Sequence, residues 1–383
     1  NPASSTFFLG IANSSASIII AVLAPFLGAI ADKGTAKKKL LMLFAFLGII
    51  MTGSLRLLEQ GHWQFAILFY VTASIGWTGA NIFYDSLLTG VAERKEVDFI
   101  SALGYGLGYI GGGILFLVNV LMYLKYEYFG FADAAQAIKI SFLSVAVWWA
   151  LFSIPIMILV KEPRAKEGVK LSAAVRLGWL QLRETFRDLK HFKVVGLFLL
   201  AYWFYIDGVD TIVRMAVDYG KSLNFPDSTL ITALLLVQFV AFPAALGYGW
   251  ISKYLGVKRA IMSGIFGYIG ITFFGYFMAE EWHFYLLAIF VALFQGGIQA
   301  LSRSLYTRII PHDKSAEFFG FYNMLGKFAA VIGPVMMGTV TLISGNARIG
   351  ILSILILFIV GAFFLYKVDI EEGEKIAQKY LED

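Results

Sequence analysis

Cysteine is absent from the chain. That excludes disulfides and thiolate metal sites. Histidine is nearly as scarce: His62, His191, His283 and His312 are the four present, and they are scattered. Such spacing supports no histidine metal centre, and no metal or other cofactor is expected. Charge is thin as well. Asp, Glu, Lys and Arg make up 15% of 383 residues, against roughly 25% in soluble domains. Apolar side chains stand in their place at 59%, and mean hydropathy is +0.74. A soluble protein of this length would have too few polar groups to cover its surface, so the chain reads as an all-α, multi-pass integral membrane protein. Its net charge of +5 does not point to nucleic acid, because the basic residues gather in short segments between apolar runs.

Long apolar runs are what the chain has in abundance. A spanning helix takes about 20 mostly apolar residues. Eleven runs qualify: 7–31, 38–58, 63–90, 100–124, 139–160, 194–217, 228–252, 259–279, 283–307, 316–343 and 347–367. Pro25, Pro155, Pro243 and Pro334 fall inside them, which neighbouring helices can tolerate by re-satisfying the freed backbone groups. Most lysine and arginine lies in one alternating set of connections, and this side is cytoplasmic by the positive-inside rule. The longest connection, 161–193, carries Leu171, Val175, Trp179, Leu182, Phe186 and Leu189 at helical spacing among Arg176, Arg183 and Arg187. This is the pattern of a basic amphipathic helix lying against the cytoplasmic headgroups. It divides the chain into an N-terminal bundle at 1–160, a linker at 161–193, a C-terminal bundle at 194–367 and a cytoplasmic tail at 368–383.

The two halves repeat. Gly28-x-x-x-Asp32-Lys33-Gly34 with the lysines after it corresponds to Gly249 through Arg259, at an offset of about 220 residues. Tyr84-Asp85-Ser86-Leu87 and Ser302-Arg303-Ser304-Leu305 share nearly that offset. Paired bundles in one chain belong to secondary transporters. The second half holds six spans and the first only five, so a further helix is expected before residue 1.

The run 194–217 is the most informative. After an apolar start it places Asp207, Asp210 and Arg214 on one face, within an arc of about 60°. Charges in a spanning helix usually face a cavity or a partner and mark a pathway. Gln295, Gln299 and Arg303 form a second polar stripe at four-residue spacing, and Asn81 with Asp85 a third. Lys327 lies about 16 Å into its span, near the midplane. Asp207 and Lys327 are expected to supply opposite charges to cargo or proton, with Asp210 and Arg214 toward the outer surface. Gly208 is expected to let backbone approach cargo or the helix bend. Gly104, Gly108 and Gly112 read as a close-packing face. Gly106-x-Gly108-x-x-Gly111 lies in a membrane helix with no preceding strand, which excludes dinucleotide binding. Gly320 to Lys327 lacks the spacing and the Ser or Thr of a phosphate loop.

The Gly28–Lys39 segment resembles the loop signature of the major facilitator superfamily. LAPFLGAIADKG (23–34), FYDSLL (83–88), SALGYGLGYIGGG (101–113), YIDGVDTIVRMAVDYG (205–220), GGIQALSRS (296–304) and FFGFYNMLGKFAAVIGP (318–334) resemble the vacuole-effluxer, amino-acid effluxer-like family. The resemblance implies a two-bundle fold of twelve transmembrane helices. Eleven are present here and the first is missing, the one that carries a Tyr-Asp-x-x-Asn-Ser motif mirroring Asp207. It also implies an amino acid or similar metabolite as cargo, and Asn323 joins the candidate pathway. Two departures stand out: Lys253 where an acid is typical, and Asp210 where relatives often have Gln. Tyr109 replaces the proline of the superfamily's antiporter motif.

The expected function is secondary active transport of a small solute by alternating access, proton-coupled, by a monomer in the cell membrane, the bacterial inner membrane. The alternative is a membrane-embedded enzyme or lipid-handling protein on a similar fold. An enzyme would need a nucleophile with its base or clustered histidines, which the sequence lacks. Asp85 and Arg303 hold equivalent places in the repeat with opposite charges and are expected to form a cytoplasmic gate, where low dielectric strengthens their attraction. Asp85→Arg and Arg303→Asp should each abolish transport in proteoliposomes, and the double swap should recover part of it. No recovery from folded single variants sinks the pairing.

Overall fold

The computed structural model describes residues 18–20, 23–32, 37–59, 61–161, 176–177, 179–181, 183–185 and 192–382. Among them ten helices are long and apolar enough to cross a membrane. Helix α1 is Leu23–Asp32, a shorter apolar helix. It ends the expected 7–31 span, most of whose earlier residues lie outside those described. Then come α2 (Lys37–Ser54, extended by a 3₁₀ turn at Leu55–Leu57), α3 (Trp63–Val91), α4 (Val97–Leu124), α5 (Ala134–Leu159), α6 (Lys193–Ser222) and α7 (Asp227–Leu255). They are followed by α8 (Val257–Tyr276), α9 (Glu281–Ile309), α10 (Ser315–Ser344), the pair α11 (Ala347–Ser353) and α12 (Leu355–Lys367) that makes one span, and α13 (Ile370–Glu382).

Local chemistry sets the boundaries. Asp133 caps α5 by accepting from Gln136 N at 2.7 Å, and Asn346 caps α11 by accepting from Arg348 N at 2.9 Å. Such side chains satisfy the free amides of a first turn. Glu280 and His283 form a reciprocal box at the start of α9. Between α7 and α8 the chain turns at Gly256 with φ of 80°, a conformation that side chains with a Cβ rarely adopt. Pro155, Pro243 and Pro334 sit inside α5, α7 and α10, as the sequence led us to expect.

Contacts divide the chain into two compact units. Unit 1 comprises 1–91, 114–187 and 313–324; unit 2 comprises 92–113, 188–312 and 325–383. The first part of α4 therefore belongs to unit 2 and its remainder to unit 1, and α10 divides in the opposite sense.

In unit 1, α2 packs on α3 and α5, around a core of Ile20, Ala24, Leu41, Ile82, Phe83, Leu87 and Ala316. Helix α1 meets the start of α10 backbone to backbone. A Cβ on Gly28 would lie 2.1 Å from Ala316 O, and one on Gly320 would lie 2.6 Å from Ala24 O. Ala24 and Gly28, four apart, thus face Ala316 and Gly320, also four apart. Small residues at this spacing let membrane helices approach closely enough for dispersion to hold them. The described part of the linker buries Gln181 and Thr185 and leaves Leu177, Trp179 and Leu180 exposed. Trp179 meets Phe26 of α1 edge-on at 6.2 Å, and Gln181 donates to Glu317 of α10. The other apolar positions of the expected linker helix lie outside the described residues.

In unit 2, α6 packs on α12, and α9 packs on α7 and α8. Burial separates the helices sharply: 61% of the apolar window of α6 is buried, but only 6% of that of α5 in unit 1. Helix α6, which carries Asp207, Asp210 and Arg214, and α9, at 56%, are the spans the fold wraps most. Gly208 serves this packing, because a Cβ there would lie 2.7 Å from the Phe358 ring of α12. This corrects the expectation that Gly208 faces cargo. The face of α4 differs too. A Cβ on Gly108 or Gly112 meets nothing within 4 Å, while one on Gly113 would lie 2.9 Å from Gln238 Cβ and one on Gly106 would lie 3.3 Å from Phe242. Helix α7 covers the seven-residue step, not the four-residue one.

Gly28→Val places branched carbons against a carbonyl that cannot rotate away. Overpacking of this kind costs about 1–3 kcal/mol. The variant should melt several degrees below wild type in detergent, with Gly90→Val, which meets nothing within 4 Å, as the control that holds.

Candidate functional site

Unit 2 holds most of the predicted pathway residues. Asp207 is 1% exposed. Its carboxylate accepts the Gly333 N–H of α10, at 3.0 Å to each oxygen, and the Thr211 hydroxyl at 3.4 Å. This contact needs glycine, because a Cβ at 333 would lie 1.9 Å from Thr211 Oγ1. Proline follows at once, and a proline ring disturbs the helical hydrogen bonds of the turn before it. An amide next to that break is well placed to donate sideways. Gly333 is a site residue that the sequence reading passed over. Its signal was the Gly-Pro pair inside a span.

Asp210 is the hub of a second group. Arg214 and Lys327 act on it with opposite charge, and Lys327 and Arg214 repel one another. The Tyr109 and Tyr268 hydroxyls lie in its field. Lys327 and Asp207 were expected to supply opposite charges to cargo; the carboxylate that feels Lys327 is Asp210, one helical turn on from Asp207. Tyr109 donates to Gln299 Oε1 at 3.0 Å. Tyr268 is fully buried, stacked on Phe358 at 5.4 Å, and its hydroxyl has no hydrogen-bond partner among the described residues. Buried phenols normally find a partner, so an unpartnered one marks a place where polar matter belongs. Neither tyrosine was on the predicted list. Tyr109 had a signal, since it breaks the antiporter pattern; a lone tyrosine in an apolar run, as at 268, has none.

The polar stripe of α9 meets a matching stripe of α4. Arg303 donates to Ser101 Oγ at 3.0 Å and Ser101 O at 3.1 Å, with its guanidinium 4.6 Å from the Tyr105 ring centre. Ser101, Tyr105 and Tyr109 are four apart, as are Arg303, Gln299 and Gln295. Gln295 ends outside this pairing. It lines a small cavity of about 50 Å³ among Ile212, Leu234 and Val291, and its Oε1 is buried with no partner among the described residues.

Unit 1 holds the others. Asp85 is 8% exposed and accepts from Asn323 Nδ2 at 3.3 Å. Asn81 lines a cavity of about 210 Å³ with Trp77, Tyr84 and Trp149. The loop signature is a helix-end clamp. Asp32 accepts Ala316 N at 3.1 Å and Glu317 N at 2.8 Å, the free amides that open α10, and pairs with Lys37 Nζ at 2.9 Å. A carboxylate there also meets the positive end of the helix dipole. Burial pushes the Asp32 carboxyl up from its ordinary range, and Lys37 and the two amides pull it back. Gly28 makes the close approach that brings Asp32 within reach. Lys33 and Gly34 lie outside the described residues. Among those residues no cluster of His, Asp or Glu could hold a metal.

A family profile described as vacuole effluxer Atg22 like matches residues 3–97 and 89–378. An uncharacterized MFS-type transporter, YxiO of Bacillus subtilis, is 36% identical over 379 residues, covering 98% of this chain and 88% of its own. Autophagy-related protein 22 of Saccharomyces cerevisiae (strain S288c) is 24% identical, covering 90% of this chain and 74% of its own. Among solved structures, the proton:xylose symporter XylE aligns with a TM-score of 0.74 at 14% identity, over 96% of this chain and 87% of its own. The human organic anion transporter MFSD10 aligns at 0.68 and 14%, over 93% and 83%. These structural likenesses establish the fold, the two-bundle major facilitator architecture. The chain belongs to the vacuole effluxer Atg22-like family, multi-pass membrane transporters of the major facilitator type.

Proposed function

We propose that the chain is a proton-coupled secondary transporter of a small zwitterionic or anionic metabolite, amino acids first among them, working by alternating access in the bacterial cell membrane. The observation that carries this reading is the group around Asp210. A solute with an ammonium and a carboxylate needs an acid for one end and a base for the other, and Asp210 with Arg214 and Lys327 offers both. Asp210 and Lys327 are half-buried and Arg214 is exposed, so cargo can reach all three, and within a membrane span charges of this kind favour a matched partner. Two bases against one acid favour cargo that carries at least one negative group. Tyr109, Gln299 and Tyr268 supply neutral donors and acceptors for its remainder.

Asp207 has a separate part in this reading. Its carboxylate holds α10 beside Pro334 through a single amide shared by two oxygens. A proton on either oxygen removes one of those acceptors and weakens the hold. Proton binding at Asp207 thereby loosens α10 where proline has already weakened its own ladder. The export direction follows only from the family's description as effluxers.

The test uses purified protein in liposomes supplied from outside with a radiolabelled mixture of amino acids, in parallel with organic anions, with and without an imposed proton gradient. Lys327→Gln should lower uptake about tenfold or more, the effect of losing a half-buried charge partner. Asp207→Asn should keep exchange but lose gradient-driven accumulation and its pH dependence. Wild-type rate and pH dependence in both variants overturns the assignment. Gly333→Ala should mimic Asp207→Asn and also lower thermal stability, and adding Thr211→Ala should recover part of that stability by removing the oxygen nearest the new methyl.

A further inference from the structure

A third cavity, larger than those around the polar stripes, lies in unit 2 and is rich in lysine and arginine. Its volume is about 840 Å³, and it is lined from the turn before α4, the α7–α8 junction, the end of α9, and α12 and α13. Five cations line it, Lys95, Lys253, Lys258, Arg259 and Arg308, against two carboxylates, Asp98 and Glu374.

The carboxylates are already spent. Arg308 takes Asp98 at 2.8 Å and reaches Glu374 at 3.8 Å, and Arg94 also reaches Glu374 at 3.8 Å. Lys258 donates to Tyr366 O at 2.8 Å and Val368 O at 2.7 Å, closing the end of α12. Lys95, Lys253 and Arg259 remain, all exposed and with no anionic partner among the described residues. Lys253 stands 5.3 Å from the Phe99 ring centre. The start of α8 adds to the field. Its N-cap, Gly256, offers no side-chain cap, and Lys258 and Arg259 occupy the positive end of the helix dipole, where cations are disfavoured. Like charges gathered this way repel unless an anion sits among them.

Apolar and aromatic side chains flank the charges. Trp250, Tyr254, Leu255 and Tyr366 are 58%, 72%, 47% and 75% exposed. A free anion has no use for such a border, whereas acyl chains do. Basic pockets between membrane helices on the cytoplasmic side hold acidic headgroups. We propose that this cavity binds the headgroup of an anionic phospholipid from the adjacent leaflet, with Lys95, Lys253 and Arg259 around the phosphate and the acyl chains along the aromatic border. The site is separate from the Asp210 group and does not rest on the transport reading.

The experiment is thermal melting of the whole detergent-purified protein with added phosphatidylglycerol, phosphatidylcholine or soluble glycerol phosphate, joined to native mass spectrometry of the phosphatidylglycerol sample. Phosphatidylglycerol should raise the melting temperature by about 3 °C or more, as a ligand of the folded state must, and leave a bound lipid mass. Phosphatidylcholine should do neither. A triple variant, Lys95→Gln, Lys253→Gln and Arg259→Gln, should melt like wild type in phosphatidylcholine and lose both the shift and the bound mass. Arg56→Gln, Lys125→Gln and Lys139→Gln, on the other face, should keep both. An undiminished shift in the cavity triple variant, an equal loss in the control, or an equal shift from soluble glycerol phosphate overturns the proposal. Should the cavity triple variant fail to fold, Lys95→Gln alone, in an exposed turn, must reduce the bound-lipid fraction.

Discussion

A carboxylate without water must be held by something, and the arrangement of unit 2 follows from that constraint. Asp207 is nearly inaccessible, and among the described residues an amide and a hydroxyl hold it. The amide is available because residue 333 lacks a Cβ and residue 334 is proline. The carboxylate fits because Gly208 admits Phe358 on the neighbouring turn. Remove either glycine and the helices must separate, which exposes the charge to hydrocarbon. Burial, glycine placement and the helix break are thus parts of one solution to a single electrostatic demand.

The same logic explains the polar stripes. Arg303 and Gln299 meet the α4 residues Ser101, Tyr105 and Tyr109 through hydrogen bonds and one ring contact, which form a ladder between the two helices. Partner-finding of this kind is how polar side chains persist in a membrane interior. Gln295 and Tyr268 break the rule, each leaving a buried oxygen unmatched. These exceptions lie on helices α9 and α8, beside the charged face of α6 in the same unit.

Much of this was legible in the sequence. Apolar run length identified the spans, because hydrocarbon thickness sets helix length directly. The charged face of α6 was legible because three ionisable residues at spacings of three and four leave little choice of geometry. Pairings between helices were not legible. The step from Asp207 to Asp210 is one turn on a helix wheel, and nothing in α10 alone says which turn Lys327 meets. Glycines were misread for a related reason. At Gly108 the four-residue repeat was real, yet the neighbour lies over Gly106 and Gly113, a matter of which face α7 occupies. The Asp32 clamp was visible only as a motif; its physical content, two amides at a helix start, appears once the chain is folded.

Helix α5 has only 6% of its apolar window buried and a proline at 155 near its end. Among the described helices α2 with its 3₁₀ turn is its main partner, and the rest of its apolar surface is left to match the hydrocarbon thickness. A thinner membrane would be felt first along this helix, while α6, wrapped by its own unit, keeps its depth. The chain thus pairs a helix whose apolar surface is left open with one that keeps Asp207 enclosed.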